Sequence, residues 1–491
     1  MSLVKSVRAF LVIGGAQVTN MIISIIRVKI IAVLLGPSGI GMLGLFNSVR
    51  DTFLNIANLG IPNSGVKTLS QEDRKSIKFA DIQGTIFVSL FIQGALAFFI
   101  IWLFEDQLNN FIFASKVQTW QLIAVGASVW LALTSFAILT ILQAQRKVSE
   151  IALFTIYGSL IGSSMGLFFI FSYGEKAIAL FVFSLAIGQI IAGGYLVLKS
   201  KDIFIARFRD LRIMLQHWIK MSRLGVSLML SGMALTLTML IMRAYIQKAA
   251  GIDAVGQFEA AWVLSITLVA LFLNTMAADY FPKLSSIIND NLEVHKTVNN
   301  HIQLILVLAG PLIIFFIGFA PWLVSLLYSQ EFSDSQVILQ WFMIGNFFKL
   351  ICLSFSYIIL AKGHGRLYLL VEIVFSLCFA IVSWLQFNNL SVIATGPAYV
   401  VAYILQICLL YYCILKLVQF KLFSHTSLLM SYNFLVITFV MFIANYSQIM
   451  GACFAFLFFL IGLVVGFKFL INDLDSNHPL ISRLNHLFNK T

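Results

Sequence analysis

Charge is scarce in this sequence. Only 11% of its 491 residues are Asp, Glu, Lys or Arg, and 60% are apolar, where a soluble domain has about 25% charged. There is too little polar surface to coat a water-soluble body. Acidic residues are the scarcest, 20 against 32 basic ones, for a net charge of +12. The basic residues are nevertheless spread thinly, with no dense stripe and no aromatic-interleaved basic motif, which argues against nucleic acid as a partner. The five cysteines, Cys352, Cys378, Cys408, Cys413 and Cys453, are odd in number and lie inside apolar runs. Neither a disulfide framework nor a zinc site follows from them. The seven histidines show no ligand spacing, so no metal site is expected. The phosphate-loop pattern G-x-x-x-x-G-K-[ST] is missing, and no cofactor is implied. Gly39-Ile40-Gly41-Met42-Leu43-Gly44 does match the dinucleotide pattern, but no strand precedes it. Its glycines suit a tight turn and close helix approach instead.

What the chain has in abundance is long apolar runs. A spanning helix needs about 20 apolar residues, and the polar breaks leave about fourteen such runs. They fall near 9–35, 40–61, 81–104, 119–142, 151–172, 176–198, 221–247, 256–278, 300–327, 337–361, 366–387, 391–416, 427–445 and 448–471. The sequence therefore predicts an all-α polytopic membrane protein. The amino-terminal run imitates a signal peptide but has no small-residue cleavage site, so it is expected to be an uncleaved first span. Lys and Arg separate cleanly between alternate connections: 24 of the 32 lie on one set, 3 on the other and 5 within spans. Cytoplasmic loops retain positive charge, so both termini are expected in the cytoplasm.

An internal repeat divides the runs. Gly36-Pro37-Ser38-Gly39-Ile40-Gly41 recurs as Gly251-Ile252-Asp253-Ala254-Val255-Gly256, and the segment at Lys67-Thr68-Leu69-Ser70 corresponds to Pro282-Lys283-Leu284-Ser285; both matches use one offset of 215 positions. The expected organisation is a six-helix bundle over 1–198, a cytoplasmic amphipathic linker over 199–220, a pseudo-equivalent six-helix bundle over 221–418, two additional helices over 427–471 and a cytoplasmic tail over 472–491. In the linker, Ile203, Ile205, Phe208, Leu211, Leu215 and Trp218 interleave with Arg207, Arg209 and Arg212. Such a segment lies at the membrane interface, its basic residues snorkelling or meeting anionic headgroups of membrane lipids. Two parallel halves suit alternating access around a mid-membrane site.

Charges inside spans mark the candidate site, because each costs about 2.5–3.5 kcal/mol at a helix centre on insertion scales. The basic ones are Arg27, Lys29, Arg50, Arg243 and Lys349; the acidic ones are Asp51, Glu259 and Glu372. Arg27 precedes Gly36 by nine residues and Arg50 follows Gly41 by nine, so at about 1.5 Å per residue both sit about 13 Å below one turn. Two arginines at one depth repel unless an anion lies beside them, and Asp51 screens only part of that charge. The guanidinium fork matches phosphate oxygens and stays ionised when desolvated. Lys29 stands about 200° round the helix from Arg27; it either snorkels outward or joins in substrate binding. Arg243 and Glu259 lie at similar depth across the second turn and read as a structural pair. Lys349 and Glu372 either pair with one another or make Glu372 a protonatable coupling site. Gln17, Asn20, Asn47, Asn55 and Asn274 add uncharged hydrogen-bonding groups, for a polar cavity or for interhelical bonds.

At these residues the sequence resembles the Wzx-type polysaccharide flippases of the multidrug/oligosaccharidyl-lipid/polysaccharide exporter superfamily. The resemblance runs through Lys29-Ile30-Ile31-Ala32-Val33-Leu34-Leu35-Gly36-Pro37-Ser38-Gly39-Ile40-Gly41, Gly65-Val66-Lys67, Met242-Arg243 and Phe281-Pro282-Lys283-Leu284-Ser285. It continues through Gln340-Trp341, Lys349 and Leu360-Ala361-Lys362 to Glu372, covering about residues 1–415. It implies a transporter of the cell inner membrane that changes no covalent bond. The implied substrate is an undecaprenyl-diphosphate-linked oligosaccharide of O-antigen or a related surface polysaccharide, moved from the cytoplasmic to the periplasmic leaflet on an ion gradient. A polysaccharide polymerase or chain-length complex is a candidate partner. Twelve spans are usual in that family, and the two runs over 427–471 depart from the pattern. The alternatives are a multidrug or organic-cation exporter of the same fold, which should display unpaired carboxylates, and a membrane glycan polymerase or ligase, which should carry a large outer loop. A non-transporting scaffold is disfavoured by the buried positive charge.

Overall fold

The computed structural model describes residues 3–74, 76–115, 117–200, 211–275 and 280–473; the linker residues 201–210, with Arg207 and Arg209, and the tail from 474 lie outside the described residues. The first helices are α1 (Leu3–Ala57), α2 (Ile61–Ser70), α3 (Ile77–Leu103), α4 (Glu105–Ile112), α5 (Thr119–Ala144), α6 (Val148–Tyr173) and α7 (Ile178–Lys199). Next come α8 (Leu211–Ala250), α9 (Ile252–Thr275), α10 (Phe281–Ser286), α11 (Asn291–Gly318) and α12 (Ala320–Leu327). The last are α13 (Ser333–Ala361), α14 (Gly365–Leu390), α15 (Thr395–Val418), α16 (Ser424–Tyr446) and α17 (Gln448–Asp473). No strand occurs among the described residues. That is the expected outcome where a backbone must satisfy its own hydrogen bonds in lipid.

Ten stretches of the described residues are helical, long and apolar enough to cross a membrane, and three of these are of double length: Gly14–Ala57, Val148–Lys199 and Gly365–Val418. Each double stretch breaks once. The second and third break at 3-10 turns, Gly174–Ala177 and Ser391–Ala394, around which α6 packs on α7 and α14 on α15. Outward faces carry bare apolar side chains such as Phe168, Leu198 and Phe442. Several helix starts are fixed by side chains: Ser76 accepts from the Phe79 amide at 3.1 Å, and Asp290 from the amides of Leu292 and Glu293. The apolar run at 300–327 is interrupted after Gly318, where Pro321 opens a short helix of its own, α12. The second half of the linker is also helical, since α8 begins at Leu211 and continues into the next run.

The chain divides into two compact units, Met1–Glu259 with Leu327–Phe332, and Ala260–Leu326 with Ser333–Thr491. The first has a core of Ile82, Ile86, Leu90, Val129, Leu133 and Ile141 on α3 and α5. In the second, α16 and α17 pack on α11, with Gly310 against the Asn433 side chain and Gly462 against the Pro311 ring.

The break in α1 is at Gly36 (φ 61°, ψ −160°), a backbone region open essentially to glycine alone. It divides the helix into arms 3–35 and 37–57. The equivalent position in the repeat, Gly251, also has positive φ, 90°. The two turns meet. A Cβ on Gly41 would strike the Ile252 carbonyl oxygen, and one on Gly256 would strike the Pro37 carbonyl oxygen. Positions 41 and 256, like 37 and 252, differ by the repeat offset of 215, so each turn offers the other the same glycine and the same carbonyl. Reciprocity of this kind is what two equivalent surfaces related by a two-fold produce. Because the obstacle is backbone, Gly256→Ala should lower the melting temperature of the purified full chain by several degrees, matching an overpacking cost of about 1–3 kcal/mol. Gly194→Ala on α7, where nothing lies within 4 Å of the new methyl, should leave it unchanged or slightly raised.

Candidate functional site

The two arms of α1 bring Arg27 and Arg50 close enough for their charges to repel. Arg27 Nη1 reaches the Ser163 hydroxyl of α6 at 3.5 Å. Arg50 Nη1 lies 3.5 Å from Asp51 Oδ1, a long contact to a carboxylate that is itself half exposed. Arg50 Nε is buried with no hydrogen-bond partner. No other carboxylate comes within 4 Å of either guanidinium among the described residues. Of the two permanent cations, only Arg50 has a carboxylate beside it, weakly held, and it keeps an unused donor.

Arg243 is the opposite case. Its Nε and Nη2 both stand 2.7 Å from Glu259 Oε2, its Nη1 donates to Ser48 Oγ at 2.8 Å, and its plane faces the Phe258 ring at 5.7 Å. Gly44 makes room for this pair, since the Glu259 side chain passes 3.0 Å from where its Cβ would be. Asp51 lies within electrostatic reach of Arg50, Arg243 and Glu259 together. The buried pair is saturated and leaves no charge for a ligand.

The family model described as "Polysaccharide biosynthesis protein" matches residues 30–337. The chain belongs to this family. The match takes in Arg50, Asp51, Arg243 and Glu259 and stops before Lys349 and Glu372. Among curated proteins, the "Lipid III flippase" of Escherichia coli (strain K12) is 21% identical over 390 residues, covering 77% of this chain and 90% of the relative; the protein of the same name from Shigella flexneri gives the same figures. Among solved structures, "Lipid II flippase MurJ, inward closed conformation" superposes with a TM-score of 0.72 at 14% identity, over 94% of this chain and all of that one. An inward-facing multidrug resistance MATE family transporter of the MOP superfamily gives 0.64 at 16% identity, over 81% and 95%. This family member shares its fold with these two solved proteins.

The remaining candidates divide. Lys29 does not join the arginines; its Nζ donates to the Tyr328 carbonyl at 2.5 Å, in the segment Leu327–Phe332 that belongs to the first unit. Asn55 donates to Thr236 Oγ1 at 3.2 Å, an interhelical bond between α1 and α8. Gln17 is exposed, Asn20 and Asn47 are half-buried, and the side chain of Asn274 lies outside the described residues. In the second unit Lys349 is buried, its ammonium 5.9 Å from the centres of both the Trp262 and Tyr403 rings. Glu372 is bonded elsewhere, accepting from Gln406 Nε2 at 3.1 Å. The two do not form an ion pair within 4 Å. No group of three or more His, Cys, Asp or Glu able to hold a metal occurs among the described residues.

Sequence reasoning missed Ser163, Ser48 and the aromatic cage of Lys349. For Ser163 a signal existed. Gly158, Gly162 and Gly166 repeat at four-residue intervals on α6, and Gly162 lies so near α7 that a Cβ would sit 2.7 Å from the Leu185 Cα. The seam brings Ser163 with it. For the buried pair, Arg243→Met alone should cost about 3–5 kcal/mol of stability because Glu259 is left uncompensated. The double change with Glu259→Met should recover most of that loss in thermal unfolding. Additive losses would show that the pair is not coupled.

Proposed function

We propose that this chain is a flippase. Its substrate is an undecaprenyl-diphosphate-linked oligosaccharide, the repeat unit of O-antigen or a related surface polysaccharide. It moves that lipid from the cytoplasmic to the periplasmic leaflet of the inner membrane by alternating access, crossing the membrane fourteen times with both termini in the cytoplasm. The observation that carries this reading is the under-neutralised Arg27 and Arg50 pair, with the free Nε of Arg50 beside it. A diphosphate supplies the missing negative charge and several acceptor oxygens at once. It could not cross about 30 Å of hydrocarbon without such a partner. The names of the curated relatives and of the solved lipid II flippase support a lipid-linked cargo. A multidrug exporter is the weaker alternative, because organic cations call for surplus carboxylate and the local surplus is cationic.

Reconstitution with a fluorescent undecaprenyl-diphosphate oligosaccharide tests the reading. Arg27→Ala and Arg50→Ala should each slow translocation about 10–100-fold, the kinetic equivalent of a lost charge-assisted bond of about 1.5–3 kcal/mol. Lys replacements should retain part of the rate. Full activity in both alanine variants would remove the pair as the headgroup site.

The ion gradient acts, in this proposal, through Glu372. Its carboxylate accepts from Gln406 Nε2 and makes no contact with Lys349 within 4 Å, so it can change protonation without breaking a direct salt bridge. Glu372→Gln should abolish the dependence of transport on a proton gradient while leaving downhill exchange. An unchanged gradient response would return Glu372 to a structural role.

A further inference from the structure

α3 and the first two turns of α8 enclose an open groove of about 240 Å³, walled by Val88, Ile92 and Leu96 on one side and by Leu211, Leu215 and Trp218 on the other. Ile92, Leu96, Leu211 and Leu215 remain exposed, so the groove opens outward. The polar groups along it are already satisfied. With its amide turned to suit both neighbours, Gln93 donates to the Ala57 carbonyl at 3.1 Å and accepts from the Trp218 indole N–H at 3.0 Å. Ser89 and Thr85 donate to the carbonyls of Ile86 and Asp81. Water would find no partners here, and an empty groove would forfeit dispersion contacts, so in a bilayer it fills with hydrocarbon. At roughly 30 Å³ for each water- or methylene-sized unit, it has room for about eight carbons.

The second observation lies on the other face of the same helix. Arg212, Lys220 and Arg223 are exposed and, at 100° per residue, fall within an arc of about 80°. Arg212 is only about 60° from Leu215, at the rim of the groove. None of the three has a carboxylate within 4 Å among the described residues. Lys78, the nearby basic residue at the start of α3, is already paired with Glu72, so the available positive charge is that of α8.

We propose that this groove binds an anionic phospholipid, one acyl chain lying between α3 and α8 and the phosphate held at the rim by Arg212, with Lys220 and Arg223 adding to the local field. The cationic rim selects among headgroups. The site is separate from the Arg27 and Arg50 pair and does not rest on the identity of the transported lipid. The test is native mass spectrometry of the full chain offered equimolar phosphatidylglycerol and phosphatidylethanolamine. Wild type should retain phosphatidylglycerol about five-fold over its competitor. The triple change Arg212→Gln, Lys220→Gln and Arg223→Gln, confined to exposed side chains, should bring the ratio near one. Phosphatidylglycerol brominated on its acyl chain should also quench wild-type tryptophan fluorescence more than that of Trp218→Phe. An unchanged headgroup ratio in the triple variant would overturn the proposal. So would displacement of phosphatidylglycerol by equimolar undecaprenyl phosphate, which would assign the groove to a polyprenyl chain, or a dimer replacing the lipid-bound monomer.

Discussion

A guanidinium cannot shed its charge in hydrocarbon, so wherever this chain carries arginine at membrane depth the surrounding protein must take over the role of water. The first unit does so in two ways. Around Arg243 it supplies a carboxylate, a hydroxyl and an aromatic face, all at short range. Around Arg27 and Arg50 it supplies one serine and one distant, half-exposed aspartate. The same residue type, within the same unit, is fully solvated in one place and under-solvated in the other. A structural arginine gains nothing from incomplete pairing, whereas one that must accept and release an anion depends on it.

The second unit handles its buried cation differently. Lys349 rests over the faces of Trp262 and Tyr403, while Glu372, whose charge reaches it without a contact inside 4 Å, is bonded to Gln406. Ring faces offer an ammonium a modest attraction that holds only over the face. Tyr399 and Phe375 continue the aromatic layer. The charge therefore rests on ring quadrupoles and on a carboxylate at a distance rather than on a direct salt bridge.

Much of this was legible in the sequence where local rules reach. The long helices follow from apolar runs and polar breaks, and counting residues on either side of a glycine-rich turn paired Arg27 with Arg50, whose charges do act on one another. The offset of 215 was visible as well, since glycine and proline mark the turns. The partners were not. Ser163 lies 136 positions from Arg27, Tyr328 lies 299 from Lys29 and Ser48 lies 195 from Arg243. No spacing rule connects such positions. The short helices escaped for another reason: α4 and α12 have eight residues each, too few for an apolar period to stand out. Glu105 and Asp106 at the start of α4 were a usable sign, because carboxylates favour a helix amino terminus. Likewise Leu211, Met214, Leu215 and Trp218 carry a helical period that places the start of α8 ten residues before the apolar run.

The break at Gly36 has a mechanical side. Arg27 stands nine residues from it, about 13 Å along the arm, and the turn itself is pinned by the Pro37 carbonyl against Gly256. A fixed pivot with a charge partway along its arm is a lever. Rotating that arm by only 10° would displace its guanidinium by about 2 Å at this length, enough to turn a two-pronged grip on an anion into a single contact. The tightness of the clamp would then be set by one backbone torsion, far from the charges it controls.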